Sequence, residues 1–207
     1  MGRYNPHPKD LSKSPAAAGF FVSPHLTLHS TVMKKTIQQI GILCYLITTF
    51  SNAQEAIPAA EEIMDIAFQE AKEENKNVFL MFHASWCGWC HRMDDNMQNK
   101  ACKEFFDTNY VITHLTVKEN KENKHLENPG AFAFLGQLKG EKQGIPYWVI
   151  FDKKGNVLEN SFDSKGSNLG CPYTKEEVQQ FIGKLKNTSR LNEEQLDIIR
   201  GVFVKKG

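Results

Sequence analysis

Cys87 and Cys90 stand two residues apart in the stretch Trp86-Cys87-Gly88-Trp89-Cys90-His91. That spacing lets two sulfurs close one small disulfide ring or work as a dithiol. An unbroken apolar run, Val78-Phe79-Leu80-Met81-Phe82, precedes it. Such a run reads as a strand buried on both faces, and the residues after it read as a helix. A helix N-terminus carries free N–H groups and a positive partial charge, which favour a thiolate at the first cysteine. As a structural staple the pair would be poor, because a two-residue loop removes little chain entropy. The chemistry to expect is thiol–disulfide exchange. Cys87 would attack as the thiolate, and Cys90, one turn inside, would resolve the mixed disulfide.

Other chemistries fit the same residues. Cys87-Gly88-Trp89-Cys90-His91 also matches C-x-x-C-H, the pattern of covalent haem attachment, with His91 as an axial ligand. Against it, Met93 and Met97 fit a helix stripe better than a second axial ligand. His83, Cys87, Cys90 and His91 offer zinc-ligand types within nine residues. No second Cys-x-x-Cys or His pair completes a separate half-site. No cofactor and no metal are therefore expected. His91, four residues after Cys87, shares its helix face and is a candidate for tuning the Cys87 thiolate. His83 closes the apolar strand, where a hydrogen-bonded structural role is expected. Trp86 and Trp89 flank the thiols and could frame a surface for flexible protein substrates.

The elements that must position these residues can be read along the chain. A helix is expected over residues 58–75, with acids early and Lys72 late. The buried strand covers 77–83, and one long helix is expected over 87–109 with Met93, Met97, Ala101 and Phe105 on one stripe. A strand follows at 110–117. Residues 118–130 are charged and Asn-rich and read as a surface insertion. A short helix is expected at 131–138, then strands at 147–151 and 157–162 joined by Asp152-Lys153-Lys154-Gly155-Asn156. A loop covers 164–172. Thr174-Lys175-Glu176-Glu177 is a capping box opening a helix to about residue 186. A last amphipathic helix, 192–205, carries Leu196, Ile199, Val202 and Phe203, expected to pack on the core. A buried central strand among these helices implies an α/β fold with a mixed sheet covered on both faces.

The N-terminus reads differently. Met33-Lys34-Lys35, an apolar stretch containing Cys44, and Ser51-Asn52-Ala53 follow the order of a secretory signal peptide. The stretch is short for a membrane span of about 20 residues. The expected organisation is a non-native, disordered extension over 1–32, with translation starting at Met33. A signal peptide at 33–53, cleaved after Ala53, precedes a domain over 54–190 and a C-terminal helix over 191–207. The whole chain carries 25 basic and 24 acidic residues, a net of +1. Residues 1–53 hold five of the basic residues and one acid, so the remainder carries 20 against 23, a net of −3. That balance gives no electrostatic reason to expect nucleic acid as a partner. Export, to the periplasm, places the four remaining cysteines where disulfides persist. Cys102 and Cys171 could pair or stay free, since four cysteines allow three connectivities; free thiols are the expectation.

Taken together, Trp86-Cys87-Gly88-Trp89-Cys90 at a strand–helix junction and Gly144-Ile145-Pro146 before a strand hairpin resemble the thioredoxin superfamily. They are most similar to its exported bacterial members with a WCxWC element. The resemblance covers about residues 58–187. It implies a thioredoxin-like sheet and a cis bond at Pro146 beside the cysteine pair. It also implies an Ile145 backbone that pairs with an extended substrate peptide. Trp86, Ile145 and Pro146 become the expected substrate-binding residues, and proteins with thiols or disulfides the expected partners. The direction of exchange is open among reduction fed by a membrane electron donor, oxidation and isomerisation. A non-enzymatic binding module on the same fold is the alternative, against which the intact cysteine pair argues. In two respects the chain departs from the family's pattern. The buried acid often found six residues before the first cysteine is Met81 here, and the segment between Cys90 and Pro146 is longer than in the minimal fold, which the insertion at 118–130 accounts for.

Overall fold

Strand β1 (Asn77–His83) forms where five consecutive apolar residues, Val78 to Phe82, are each fully buried. Their burial accounts for its unalternating sequence, and each large side chain contributes about 1.5–3 kcal/mol relative to exposure. The computed structural model describes residues 56–204. The expected extension at 1–32, the signal peptide at 33–53 with Cys44, and residues 205–207 of the expected C-terminal segment lie outside the described residues. Among those described, no helix is long and apolar enough to cross a membrane.

β1 is the second strand of a four-stranded sheet. β2 (Tyr110–Thr116) runs parallel on one side, with Asn77 opposite Tyr110. β3 (Tyr147–Phe151) runs antiparallel on the other, and β4 (Val157–Asn160) pairs antiparallel with β3 at the edge. The mixed sheet is therefore as expected. The β3–β4 turn is held by Asp152, whose carboxylate accepts the N–H groups of Lys154 and Asn156. Gly155 sits at φ 89°, a conformation that costs glycine little.

The alternation of β1 side chains divides the core in two. Val78, Leu80 and Phe82 face α1 (Ala60–Glu74) and α4 (Ala131–Gln137). Phe79 and Met81 face the other layer. That layer holds α2 (Gly88–Met97), α3 (Lys103–Asn109), α5 (Lys175–Thr188) and α6 (Glu193–Phe203). Both faces are covered, which completes the α/β arrangement. The capping box at Thr174 and Glu177 is present, and a second one at Asn192 and Gln195 opens α6. Leu196, Ile199 and Phe203 of α6 are fully buried, so the last helix packs on the core as expected.

Two expectations require correction. The single helix over 87–109 is two. Asn99 breaks it: its Oδ1 accepts the Ala101 N–H, and its carbonyl accepts the Cys102 N–H. Asparagine competes for backbone groups in this way and so favours turns over helix interiors. The break shifts the stripe. Ala101 is exposed, while Cys102 and Phe106 take the buried positions after Met97. The second correction concerns residues 118–130, which are more than a surface insertion. They contain a 3₁₀ turn, Lys121–Leu126, and Glu119 is only 8% exposed. A carboxylate can be buried there because both of its oxygens are hydrogen-bonded.

Candidate active site

The site starts where β1 ends. The Cys87 N–H donates to the Ala84 carbonyl at 3.0 Å, closing a turn that delivers Cys87 to the N-cap of α2. Cys87 Sγ accepts the Cys90 N–H at 3.2 Å. Of the described helices longer than three turns or capped by a box, α1, α5 and α6 each carry acids in the first turn. α2 carries none. Its N-terminal partial charge is left for whatever negative charge forms at Cys87.

Cys87 and Cys90 are joined as a disulfide, with their Cα atoms 5.3 Å apart. The two sulfurs that haem attachment would use are thus bonded to each other. No three His, Cys, Asp or Glu side chains converge as a metal set among the described residues. Cys87 is 3% exposed and Cys90 is sealed at 0%, so Cys87 is the outer of the pair. Met81 lies fully buried in the same core cluster, with no carboxylate at that position.

Across from the disulfide, the Ile145–Pro146 bond is cis. The Ile145 carbonyl oxygen lies 3.6 Å from Cys87 Sγ. Residues 58 positions apart in the chain are thereby brought together, as the resemblance implies. Asn168 holds this segment. Its Nδ2 donates to the Gly144 carbonyl at 2.8 Å and to the Pro146 carbonyl at 3.0 Å. Its Oδ1 accepts the Gly170 N–H, and the Gly170 carbonyl in turn accepts from Trp148 Nε1. A groove of about 290 Å³ runs along these residues, lined by Trp89, Ile145, Pro146, Leu169, Cys171 and Tyr173. Another, more polar cleft of about 330 Å³ lies around Asn75, Asn109 and Arg190, away from the cysteines.

The aromatic flanks are partly in solvent: Trp86 is 51% exposed and Trp89 45%. Trp86 Nε1 donates to the Lys118 carbonyl. The Trp89 ring packs on Tyr173 at 5.2 Å, with the Arg92 guanidinium 5.3 Å from its centroid. Both rings are held in place while keeping an exposed face. His91 is engaged with the loop before the cysteines, its Nε2 3.0 Å from the Ser85 carbonyl. His83 has the structural partner expected of it, Thr116 Oγ1 at 3.2 Å from Nε2. Burial, and next the neighbouring His114, hold the His83 imidazolium below its ordinary range.

Cys102 and Cys171 are free and buried. Burial pushes the Cys102 thiol up to about 11 and the Cys171 thiol up to about 12. Neither is a nucleophile near neutral pH, although Cys171 lines the groove. Asn168, Tyr173 and Glu119 were not legible as site residues. Each acts through a tertiary contact, and nothing in its local sequence distinguishes it from its polar neighbours.

Residues 59–153 match a family model described as thioredoxin-like. Over 79 residues the chain is 35% identical to spermatogenesis-associated protein 20 of Rattus norvegicus. It is 32% identical over 79 residues to an uncharacterized protein of Caenorhabditis elegans. Each match covers 38% of this chain and 10% of the relative, so the chain spans about a tenth of the length of these relatives. Among solved structures, a disulphide isomerase from Xylella fastidiosa Temecula1 is similar at 19% identity and a TM-score of 0.41. That likeness covers 73% of this chain and 94% of the other. With its matched segment spanning the sheet's central strand, the Cys87–Cys90 pair and Pro146, the chain carries a thioredoxin-like domain over residues 59–153.

Proposed function

We propose that this chain is an exported thiol–disulfide oxidoreductase that exchanges disulfides with protein substrates through Cys87 and Cys90. The observation that carries this reading is the Cys87–Cys90 disulfide at an acid-free helix N-terminus, with the Ile145 carbonyl 3.6 Å from the outer sulfur. In the reducing direction, the Cys87 thiolate attacks one sulfur of a substrate disulfide. A Cys87–substrate disulfide forms and one substrate thiolate leaves. Cys90, as its thiolate, then attacks Cys87 Sγ, closing the Cys87–Cys90 disulfide and releasing the second substrate thiolate. The substrate gains two electrons and the protein dithiol loses them; solvent protons neutralise the released thiolates. To restore the reduced pair, one thiolate of a donor dithiol, which we assign to a membrane electron donor, attacks Cys87 Sγ and expels the Cys90 thiolate. The donor's second thiolate then attacks the donor sulfur of that mixed disulfide, releasing Cys87 and leaving the donor oxidised to a disulfide.

The substrate segment lies along Ile145 and Pro146, with the exposed faces of Trp86 and Trp89 beside it. The groove walls mix apolar and aromatic side chains, Trp89, Ile145, Leu169 and Tyr173, with the polar Asn168 and Glu177, a lining that suits an extended segment carrying both apolar and hydrogen-bonding groups. His91 acts on Cys87 through the loop, holding the Ser85 carbonyl. Export rests on Met33-Lys34-Lys35, the apolar stretch after it, and Ser51-Asn52-Ala53. In this account the domain works in the periplasm after cleavage behind Ala53.

One experiment addresses both parts. The chain is produced with residues 33–207 in a bacterial host, recovered from the periplasm, reduced, and mixed with insulin. The mature protein should begin at Gln54, and cleavage of one insulin disulfide should consume two protein thiols. Recovery only from the cytoplasm with residues 33–53 intact would refute export. Insulin disulfides left intact would refute the exchange activity.

A further inference from the structure

Two adjacent residues just after β2, Lys118 and Glu119, touch both halves of the site. Towards the cysteines, the Ser85 N–H donates to Glu119 Oε1 at 2.5 Å, Ser85 Oγ donates to Oε2 at 2.8 Å, and Trp86 Nε1 donates to the Lys118 carbonyl at 2.9 Å. Ser85 and Trp86 are the residues that lead into Cys87. Towards the proline, Lys118 Nζ donates to the carbonyls of Glu141 at 2.9 Å and Gln143 at 2.5 Å. Gln143 is followed by Gly144-Ile145-Pro146. The Glu119 N–H is itself fixed, donating to Glu127 Oε1 at 2.8 Å.

The arrangement carries the marks of a positioning device. Glu119 is buried, and buried carboxylates persist where their oxygens are paired. Here both oxygens are spent on one residue of the cysteine loop. Lys118 adopts φ 56°, a conformation uncommon outside glycine, which turns its carbonyl and its side chain towards different loops. Burial holds its ammonium below the ordinary lysine range.

We propose that Lys118 and Glu119 form a positioning clamp that fixes the Cys87 loop and the Pro146 loop at one separation. Glu119 sets the backbone that presents Cys87. Lys118 sets the backbone that presents Ile145 and Pro146 to the substrate. This rests on the disulfide-exchange reading. The clamp has an electrostatic consequence as well. Ser85 is two residues from Cys87, at most about 7 Å of chain, so the Glu119 carboxylate is the acid nearest along this path to the reactive sulfur. Other charged or titratable groups near the loop are Lys118, Lys124, Glu127, His91, and, from β1 and the cysteine helix, His83, Arg92 and Asp94. A negative charge fixed on the loop that presents Cys87 disfavours a thiolate there, so removing it should make Cys87 more acidic.

Two variants test the clamp on the full chain. Glu119→Gln keeps an oxygen for the Ser85 N–H and removes the charge. In the reduced protein, the pH dependence of Cys87 alkylation should show its pKa lowered by about half to one unit. Lys118→Met cuts the link to residues 141–143. It should raise KM for insulin about fivefold or more, with kcat changed less than about twofold, the mark of lost substrate positioning. Should Glu119→Gln fail to fold, Ser85→Ala takes its place, and amide exchange over residues 84–90 should quicken about tenfold. An unchanged Cys87 pKa in Glu119→Gln, unchanged exchange in Ser85→Ala, or an unchanged KM in Lys118→Met overturns the clamp. Alkylation and amide exchange need no protein substrate. Failure of the unaltered protein to cleave insulin would therefore sink the oxidoreductase reading and leave the Glu119 test decisive for the clamp.

Discussion

Replacing Cys87 with serine is expected to lower insulin disulfide cleavage by about a thousandfold or more, because the attacking thiolate is gone and no other described thiol can replace it. Cys102 and Cys171 remain, but burial holds their thiols near 11 and 12. Cys90→Ser is expected to behave differently. Cys87 still attacks, but nothing releases the product, so the variant accumulates a mixed disulfide with substrate, visible on a non-reducing gel and lost on adding dithiothreitol. The asymmetry follows from burial, 3% for Cys87 against 0% for Cys90, and from Cys87 alone occupying the N-cap of α2. Capture by Cys87→Ser with full turnover in Cys90→Ser would reverse the roles.

The second large effect concerns stability. Phe203, the last residue of α6, is fully buried, with its ring 5.0 Å from Phe181 and 6.3 Å from Phe106. These contacts join α6 to α5 and α3 beneath the sheet face that carries Phe79 and Trp148. Phe203→Ala is expected to cost about 3–5 kcal/mol, from lost transfer energy and the cavity left behind. That is a large share of the total for a domain of this size, which is about 5–15 kcal/mol. Urea unfolding should show a lower midpoint with an unchanged slope. A loss below about 1 kcal/mol would mean that α6 is peripheral, since buried phenylalanines do not leave a core so cheaply.

Much of the fold was legible because its strongest signals are local. β1 is a run of apolar residues with no alternation, and only a strand covered on both faces needs that. Thr174 and Glu177 announce α5 by side-chain chemistry within four residues. The cysteine pair was legible because its spacing and its place after β1 are both visible along the chain. The break between α2 and α3 was not, because it depends on Asn99 choosing a turn over a helix that its neighbours would tolerate. That choice moved the buried stripe from Ala101 to Cys102 and Phe106. Glu119 and Asn168 were illegible for another reason. Each bonds to residues 34 or 22 and more positions away, and a charged or amide side chain in a polar loop gives no hint of burial. The residues that do the chemistry could be read from the sequence; those that hold them in place became visible only in the structure.

The reduction potential of the Cys87–Cys90 couple, measured by equilibrating the folded protein with glutathione buffers, tests the central claim most directly. A pair that exchanges with protein disulfides is expected to titrate reversibly as one two-electron couple, between about −270 and −120 mV. A potential below about −300 mV, where structural disulfides lie, would contradict the account and make the Cys87–Cys90 bond a staple.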